Sequence, residues 1–180
     1  MSSSILVLQA HLPLVRHPEH DRFLEERWFF EALSETYLPL LRELRDLERN
    51  QVPFRFAMSF SPTLTFMLTD QLLLDRYRAH LEQSLHLSER ELDRTKGSPE
   101  FLRNVQMYRS LLEQNKADLD DLYDGNILRG FDYFSKKGWI EMLATSATHA
   151  FLPNYRSFPE IVRAQIELGI SQHRSVFGVN

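Results

Sequence analysis

Three short apolar runs alternate along this chain with longer segments in which apolar residues recur every three or four positions. The short runs begin at Ile5, Phe54 and Trp139, and continuous apolar runs of this length are typical of strands buried in a parallel sheet. The longer segments have the period of amphipathic helices. The order strand, helix, strand, several helices, strand, helix therefore predicts an α/β fold with a parallel sheet and helices outside it. A sheet of only three strands leaves an unpaired edge.

Prolines and short polar side chains mark where the predicted helices begin. The first helix covers residues 31–49, and Pro39 inside it is expected to kink or divide it near Tyr37, because proline lacks the amide hydrogen. Ser61-Pro62 and Ser157-Phe-Pro159-Glu160 are further starts, with a capping serine and an early proline. The later helices are predicted over residues 62–68, 71–95, 99–123, 127–136 and 159–173.

Residues 71–123 are predicted to form an antiparallel helical hairpin. Its two helices are separated by Lys96-Gly97-Ser98, a helix stop followed by a capping serine. Apolar residues at three- and four-residue spacing should form a narrow, coiled-coil-like seam between the helices. They are Tyr77, Leu81, Leu85 and Leu92 on one helix and Phe101, Val105, Tyr108, Leu112, Leu119 and Leu122 on the other. A purely structural role is the favoured interpretation, and a partner-docking surface is the alternative.

Composition limits the possible partners. The 180 residues carry a net charge of −4 with both signs mixed, which argues against nucleic acid as the main partner. The absence of cysteine excludes disulfides and thiolate metal sites. No apolar stretch approaches the ~20 residues of a membrane span, and Ser2-Ser3-Ser4 lacks the positive charge of a signal peptide. A cytoplasmic protein without a membrane partner is expected.

Polar side chains that could carry chemistry lie where the predicted strands end. His11 follows the first strand, which is expected to be buried on both faces over Ile5 to Leu8. Ser59 and Ser61 lie at the end of the second strand, and His149 follows the third. Parallel strands end at one edge, so these four side chains should line a common rim. A structural role for a single histidine is the ordinary interpretation, and the repetition favours a site.

Two other candidates are weighed beside this rim. His17-Pro-Glu19-His20 offers two imidazoles and a carboxylate, but in a charged loop that does not fix their spacing as a helix would, so no metal site is expected. Trp28 is either a helix-entry residue or an exposed platform for the apolar face of a ligand such as a sugar. No nucleophile motif or glycine-rich phosphate loop is present.

Several motifs resemble glycoside hydrolase family 57, and within it most closely the 1,4-α-glucan branching enzymes. They run in order along essentially the whole chain. They are Leu-Gln-Ala-His11-Leu-Pro13-Leu-Val-Arg-His17-Pro-Glu19, Trp28-Phe-Phe-Glu-Ala, Glu35-Thr-Tyr37-Leu-Pro, Met58-Ser-Phe-Ser-Pro-Thr-Leu64 and Trp139-Ile-Glu-Met-Leu-Ala-Thr-Ser-Ala-Thr-His149-Ala-Phe-Leu-Pro153.

The resemblance implies that residues 1–180 are the N-terminal part of a distorted (β/α)7 TIM-like barrel, with the helical hairpin as an insertion. It implies an α-glucan substrate, cleaved at an α-1,4 linkage and transferred to a 6-hydroxyl with retention of configuration, without cofactor or metal. His11 and His149 match active-site histidines that hold the sugar, whereas Gln9 departs from the family, which commonly has a histidine there. The nucleophilic glutamate and the acid/base aspartate are expected beyond residue 180, so the chain alone is expected to be inactive.

Two functions of other classes remain open. One is a non-catalytic carbohydrate-binding or assembly module that uses the helical hairpin. The other is a metal-dependent polysaccharide deacetylase, whose irregular barrel is related to that of the family.

Overall fold

The computed structural model describes residues 4–178. Ser2 and Ser3, for which the sequence predicts no signal peptide, lie outside the described residues. The described part contains three strands, seven α-helices, two π-helical turns and one 3-10 turn. The strands are β1 (Val7–Ala10), β2 (Phe56–Phe60) and β3 (Ile140–Leu143). The helices are α1 (Glu26–Ala32), α2 (Leu38–Arg49), α3 (Pro62–Met67), α4 (Gln71–Thr95), α5 (Pro99–Ala117), α6 (Leu128–Lys136) and α7 (Pro159–Phe177). No helix within residues 4–178 is long and apolar enough to cross a membrane.

The three strands form one open parallel sheet in the order β1-β2-β3. Val7 pairs with Ala57, and Phe56 pairs with Ile140. The predicted α/β class and parallel sheet are thereby confirmed. Since all three strands run in the same direction, their C-terminal ends meet at one edge, which is where His11 leaves β1.

The first strand is less buried than its apolar sequence indicates. Ile5, Leu6 and Val7 are 85%, 57% and 58% exposed, and the paired residues are Val7–Ala10 instead of the predicted Ile5 to Leu8. The prediction of a strand buried on both faces is therefore wrong for β1. It is an edge strand, and only the central strand β2 has neighbours on both sides within the described chain.

The hydrophobic core gathers around Phe60, the last residue of β2. Its ring lies 4.9 Å from that of Phe131 on α6, 5.7 Å from Phe177 on α7 and 6.4 Å from Tyr37. Phe60 and Phe131 are 3% and 0% exposed. The Phe60 side chain thus packs against α6, α7 and the turn that contains Tyr37. This packing holds α7 against the sheet.

Pro39 changes the geometry of the first helix without ending it. Helix α1 starts at Glu26, earlier than predicted, and passes through a π-helical turn (Leu33–Tyr37) directly into α2. The amide of Leu38 donates to the carbonyl of Leu33, five residues back. The carbonyl of Ser34 would next require an amide at position 39, where proline has none.

A side chain of the hairpin supplies the missing donor. The fully buried Asn115 donates from Nδ2 to the Ser34 carbonyl at 3.0 Å and accepts from Arg42 at its Oδ1 at 2.8 Å. Arg42 also pairs with Asp118 at 2.5 Å, in a second π-helical turn (Asp118–Leu122) that ends α5. The Ser34 hydroxyl bonds the buried Tyr77 hydroxyl of α4 at 2.8 Å. The base of the hairpin is therefore joined to α1 and α2 by buried, mutually satisfied polar groups.

Helices α4 and α5 form the predicted antiparallel hairpin. Ion pairs across it link Arg78 to Asp120, Glu82 to Lys116 and Glu89 to Arg109. The residue numbers increase along one helix while those of their partners decrease, as an antiparallel pair requires. The predicted seam is confirmed near the base at Tyr77, Leu81 and Leu119, which are fully buried. The prediction is wrong for three of its residues: Leu122, Phe101 and Tyr108 are 52%, 63% and 54% exposed. Periodicity marks these side chains as one helix face but does not report whether the partner helix covers them.

Replacing Asn115 tests this buried junction. Asn115→Ala leaves the Ser34 carbonyl and one Arg42 donor unpaired, so we expect a loss of about 2–4 kcal/mol in unfolding free energy. Urea unfolding followed by circular dichroism measures it. Asn104→Ala, on the exposed side of the same helix, is the matched control and should leave the midpoint nearly unchanged. Equal midpoints for the two variants would contradict the assignment.

Candidate functional site

His11 and His149 lie against each other although 138 positions separate them in the chain (149 − 11). Their ring centroids are 4.3 Å apart with an interplanar angle of 45°. His11 directly follows β1, and His149 lies in the segment after β3. The sequence analysis expected both rings at one edge of the sheet, and the structure places them there in direct contact. We call this arrangement the histidine pair.

Gln9 is the third member of the arrangement. Its Nε2 lies 2.5 Å from Nε2 of His149, so that the amide donates to an unprotonated ring nitrogen. Gln9 pairs with Ser59 in the sheet register and projects from the penultimate position of β1. Gln9, the residue that departs from the family pattern, therefore contacts His149 directly.

Burial keeps His11 neutral. Burial, and secondly the neighbouring His149, lower the pKa of His11 from its ordinary value of 6.5. Its Nδ1 is buried without a hydrogen-bond partner among residues 4–178, so a proton added there would be neither hydrated nor accepted. A neutral imidazole can donate from one nitrogen and accept at the other, as the hydroxyl groups of a sugar require.

The turn that carries His149 is held by α7. His149 has a φ of +55°, a left-handed conformation that few non-glycine residues adopt. The backbone amide of Ala147 donates to the Gln165 carbonyl at 2.9 Å, and the amide of Thr148 donates to the Gln165 side-chain oxygen at 2.9 Å. One residue of α7 thus bonds the two positions before His149, which holds the turn in its strained conformation.

Gly169 allows this turn to approach the helix. A β-carbon at position 169 would lie 2.0 Å from the carbonyl oxygen of Thr145, closer than atoms can come. The sequence signal was available, since a glycine within a helix costs about 1 kcal/mol and often marks a close backbone approach. Neither Gly169 nor Gln165 was predicted from the sequence, and Gln165 has no local signal because its partners Thr148 and Ala147 lie 17 and 18 positions away (165 − 148 and 165 − 147).

The two serines predicted for the rim are more buried than the histidines. Ser59 is 8% exposed and Ser61 is 1% exposed. The Ser61 hydroxyl accepts the amide of Leu64, which confirms its role as the cap of α3. It also contacts Thr63, whose own hydroxyl donates to the Leu12 carbonyl after β1. Ser61 therefore fixes the loop beside His11, and its predicted contact with substrate stays a prediction, as does that of Ser59.

Trp28 lies on α1, and the His17–His20 loop lies between β1 and α1. Trp28 is 50% exposed on α1, as a stacking platform would require. His17 bonds Glu19 at 2.9 Å and packs against Phe23 with ring centroids 3.6 Å apart. That bond lowers the pKa of the Glu19 carboxyl. Among residues 4–178, no three His, Asp or Glu side chains are placed to hold a metal ion together.

Comparison with known proteins places the chain among the glycoside hydrolases. The model of glycosyl hydrolase family 57 matches residues 5–180. A 1,4-α-glucan branching enzyme of Thermococcus kodakarensis is 31% identical over 175 residues, which are 96% of this chain and 25% of that enzyme. The chain belongs to glycosyl hydrolase family 57. It spans a quarter of the length of that curated relative.

Solved structures of the same family share the fold. An α-amylase of Thermotoga maritima, AmyC, has a TM-score of 0.92 and 41% identity, over 100% of this chain and 34% of that one. A branching enzyme of Pyrococcus horikoshii has a TM-score of 0.88 and 31% identity, over 97% of this chain and 32% of that one. The enzyme of T. kodakarensis, solved with glucose and additives, has a TM-score of 0.86 and 30% identity over 97% of this chain and 30% of that one.

Gly169→Ala tests the close approach of α7 to the turn of His149. The new methyl group must displace the Thr145 carbonyl, so we expect about 1–3 kcal/mol lower unfolding free energy, together with shifted His149 resonances. Thermal unfolding and NMR measure the two effects. Gly97→Ala is the matched control, because no atom lies within 4 Å of a β-carbon there. An unchanged His149 resonance in Gly169→Ala would contradict the arrangement.

The pKa of His11 gives a second test. In His149→Ala the neighbouring imidazole, the second cause of the lowered pKa, is gone, so the His11 midpoint should move up toward 6.5, as followed by NMR titration of the ring protons. The folded state favours the neutral ring, and folding should therefore weaken as the pH falls below 6.5. His86→Ala, in an exposed residue of α4, should leave the His11 midpoint unchanged. A midpoint that stays or falls in His149→Ala would refute the coupling.

Proposed function

We propose that residues 1–180 are the N-terminal part of the catalytic domain of a family 57 enzyme that acts on α-glucans as a 1,4-α-glucan branching enzyme. The observation that carries the proposal is the contact between His11 and His149 at the C-terminal edge of a parallel sheet, in a chain of this family. The curated relative carries the branching-enzyme name. In the proposal the sheet is the first part of a distorted (β/α)7 barrel.

The histidine pair binds a glucosyl unit at the cleavage site. Each ring offers one nitrogen to the sugar hydroxyl groups: Nε2 of His11, whose Nδ1 is buried, and Nδ1 of His149, whose Nε2 contacts Gln9. Trp28 offers an exposed aromatic face on which a pyranose ring can stack. Ser59 and Ser61 serve the same site, the second mainly by fixing the loop beside His11.

Retention of configuration requires two carboxylates about 5–5.5 Å apart, one as nucleophile and one as acid and base. In the proposal both come from beyond residue 180, as the family resemblance implies. The residues of this chain then bind and orient the donor sugar and take no part in bond cleavage.

Hydrolysis is the second candidate. The α-amylase of T. maritima shares 41% identity with this chain, more than the 31% of the P. horikoshii branching enzyme. The two reactions share the donor site and differ in the acceptor, which is water in hydrolysis and a glucan 6-hydroxyl in branching.

Glucan binding by the chain tests the proposal. Calorimetry with maltoheptaose should detect binding that weakens about tenfold or more in His149→Ala, because the ring nitrogen that binds a sugar hydroxyl is lost. His86→Ala, 81% exposed at the side chain on α4, is the matched control and should bind as the unchanged chain does. Equal affinity in both variants, or no binding at all, would refute the role of the histidine pair.

Turnover by the chain alone is a separate prediction. Incubated with amylose, residues 1–180 should produce neither new reducing ends nor new branch points, because in the proposal the nucleophile and the acid lie beyond residue 180. Reducing-sugar and debranching assays measure the two products. Turnover that disappears in His11→Ala would overturn the division of roles proposed above.

A further inference from the structure

A cavity of about 370 Å³ lies between the loop after β1, the start of α1 and the middle of α4. This size falls within the range of about 300–1,000 Å³ typical of small-molecule sites. Its wall includes Phe23, Arg27, Phe30, Arg76, His80 and Gln83. We call it the α1–α4 cavity. None of the residues of the histidine pair lines it.

The cavity lies on a different face of α1 from Trp28. Successive helix residues are turned by about 100°, so Arg27 and Phe30 point in directions about 60° apart. Trp28 points about 100° from Arg27 and about 160° from Phe30. A ligand in the cavity would therefore not reach the exposed ring of Trp28 across the helix.

The roof of the cavity is held in place by one side chain of α4. The Arg76 guanidinium donates to the backbone carbonyls of His17 and His20 and pairs with the buried Glu26 carboxylate. Arg76 and Glu26 thus neutralise each other within the fold and fix the loop against both helices. The cavity is consequently pre-formed, which lowers the cost of ordering a ligand.

The floor and the rim have different chemistry. The floor is aromatic: the Phe30 ring is 7% exposed and stacks on the His80 ring, with centroids 5.2 Å apart. The rim carries Gln83 together with Asp21 and Arg22, and residues 4–178 supply no ion pair for these two charged residues. Arg27 lies 3.9 Å from Glu31. Hydrogen-bond donors and acceptors are therefore left for a ligand above an apolar base.

Aromatic floors with planar amide, guanidinium and carboxylate groups suit a carbohydrate, whose hydroxyl groups both donate and accept and whose C–H faces are apolar. His80 fits this set. Burial, together with the charge of Arg27, lowers its pKa, so the ring is neutral near pH 7 and can donate and accept. Asp21 and Arg22 carry opposite charges on the same rim.

We propose that the α1–α4 cavity is an accessory binding site for a short α-glucan segment, separate from the histidine pair. The choice of glucan rests on the proposed function, because a polymer held at the histidine pair can also be held at a second place on the protein. The cavity would then retain the glucan without contacting the bond to be cleaved.

NMR titration of the isotopically labelled chain with maltotriose tests this site. We expect two groups of amide shifts, one over residues 21–27 and 79–83 and one over residues 147–150. In Arg27→Ala/Gln83→Ala the first group should require about tenfold more maltotriose, because two hydrogen-bonding groups are lost, while the second group is unchanged. Arg103→Ala/Gln106→Ala, at exposed positions on α5, is the matched control and should change neither group.

The other outcomes separate the two proposals. Shifts confined to residues 147–150 would overturn the accessory site and leave the proposed function standing. Shifts confined to the cavity would support the accessory site and count against the histidine pair. Cavity shifts with inorganic phosphate but not with maltotriose would show an anion site and overturn the glucan assignment. Absence of any shift would overturn both.

Discussion

Parallel pairing of three short strands is the constraint on which the rest of this structure depends. Because β1, β2 and β3 run in one direction, residues separated by more than a hundred positions leave the sheet at the same edge. His11 and His149 meet there, and the Gln9 side chain of β1 reaches the second ring. A slip of one residue in the β1–β2 register would turn Gln9 to the other face of the sheet and remove that contact.

The site also needs positional precision that strand pairing does not supply. The turn of His149 follows the end of β3 and has a strained conformation, and it is α7 that determines its position. Gln165 bonds the backbone on the N-terminal side of His149, and Gly169 leaves room for the Thr145 carbonyl. Phe177, near the end of the same helix, packs on Phe60 of the central strand. The position of the second imidazole is thus set by a helix fixed to the core.

A feature of this fold could be predicted from the sequence where its physical cause lies in neighbouring residues of the chain. The helix start at Ser61-Pro62 follows from capping and the parallel sheet from periodicity, and both appear in the structure. Helix α7 also starts at the predicted Pro159, but Phe158 precedes it and the expected serine cap is not made. The exposure of Ile5 and the open hairpin tip at Phe101 depend on what covers them, which periodicity does not report. Pro39 predicts a kink or division of the first helix near Tyr37, and a π-helical turn does end there. The donor that replaces the missing amide, Asn115, lies 76 positions away (115 − 39) and has no local signal.

The placement of the helical hairpin between β2 and β3 has a consequence for the order of folding. Met58 pairs with Met142, 84 positions later (142 − 58), so β2 and β3 can pair only when a long intervening segment brings them together. The hairpin makes its contacts locally and can form early, which brings the two strands closer and lowers the entropy cost of closure. During synthesis from the N-terminus, one side of β2 stays unpaired until β3 has been made. Early collapse of α4 onto α5 would therefore limit the time in which that edge can engage another chain.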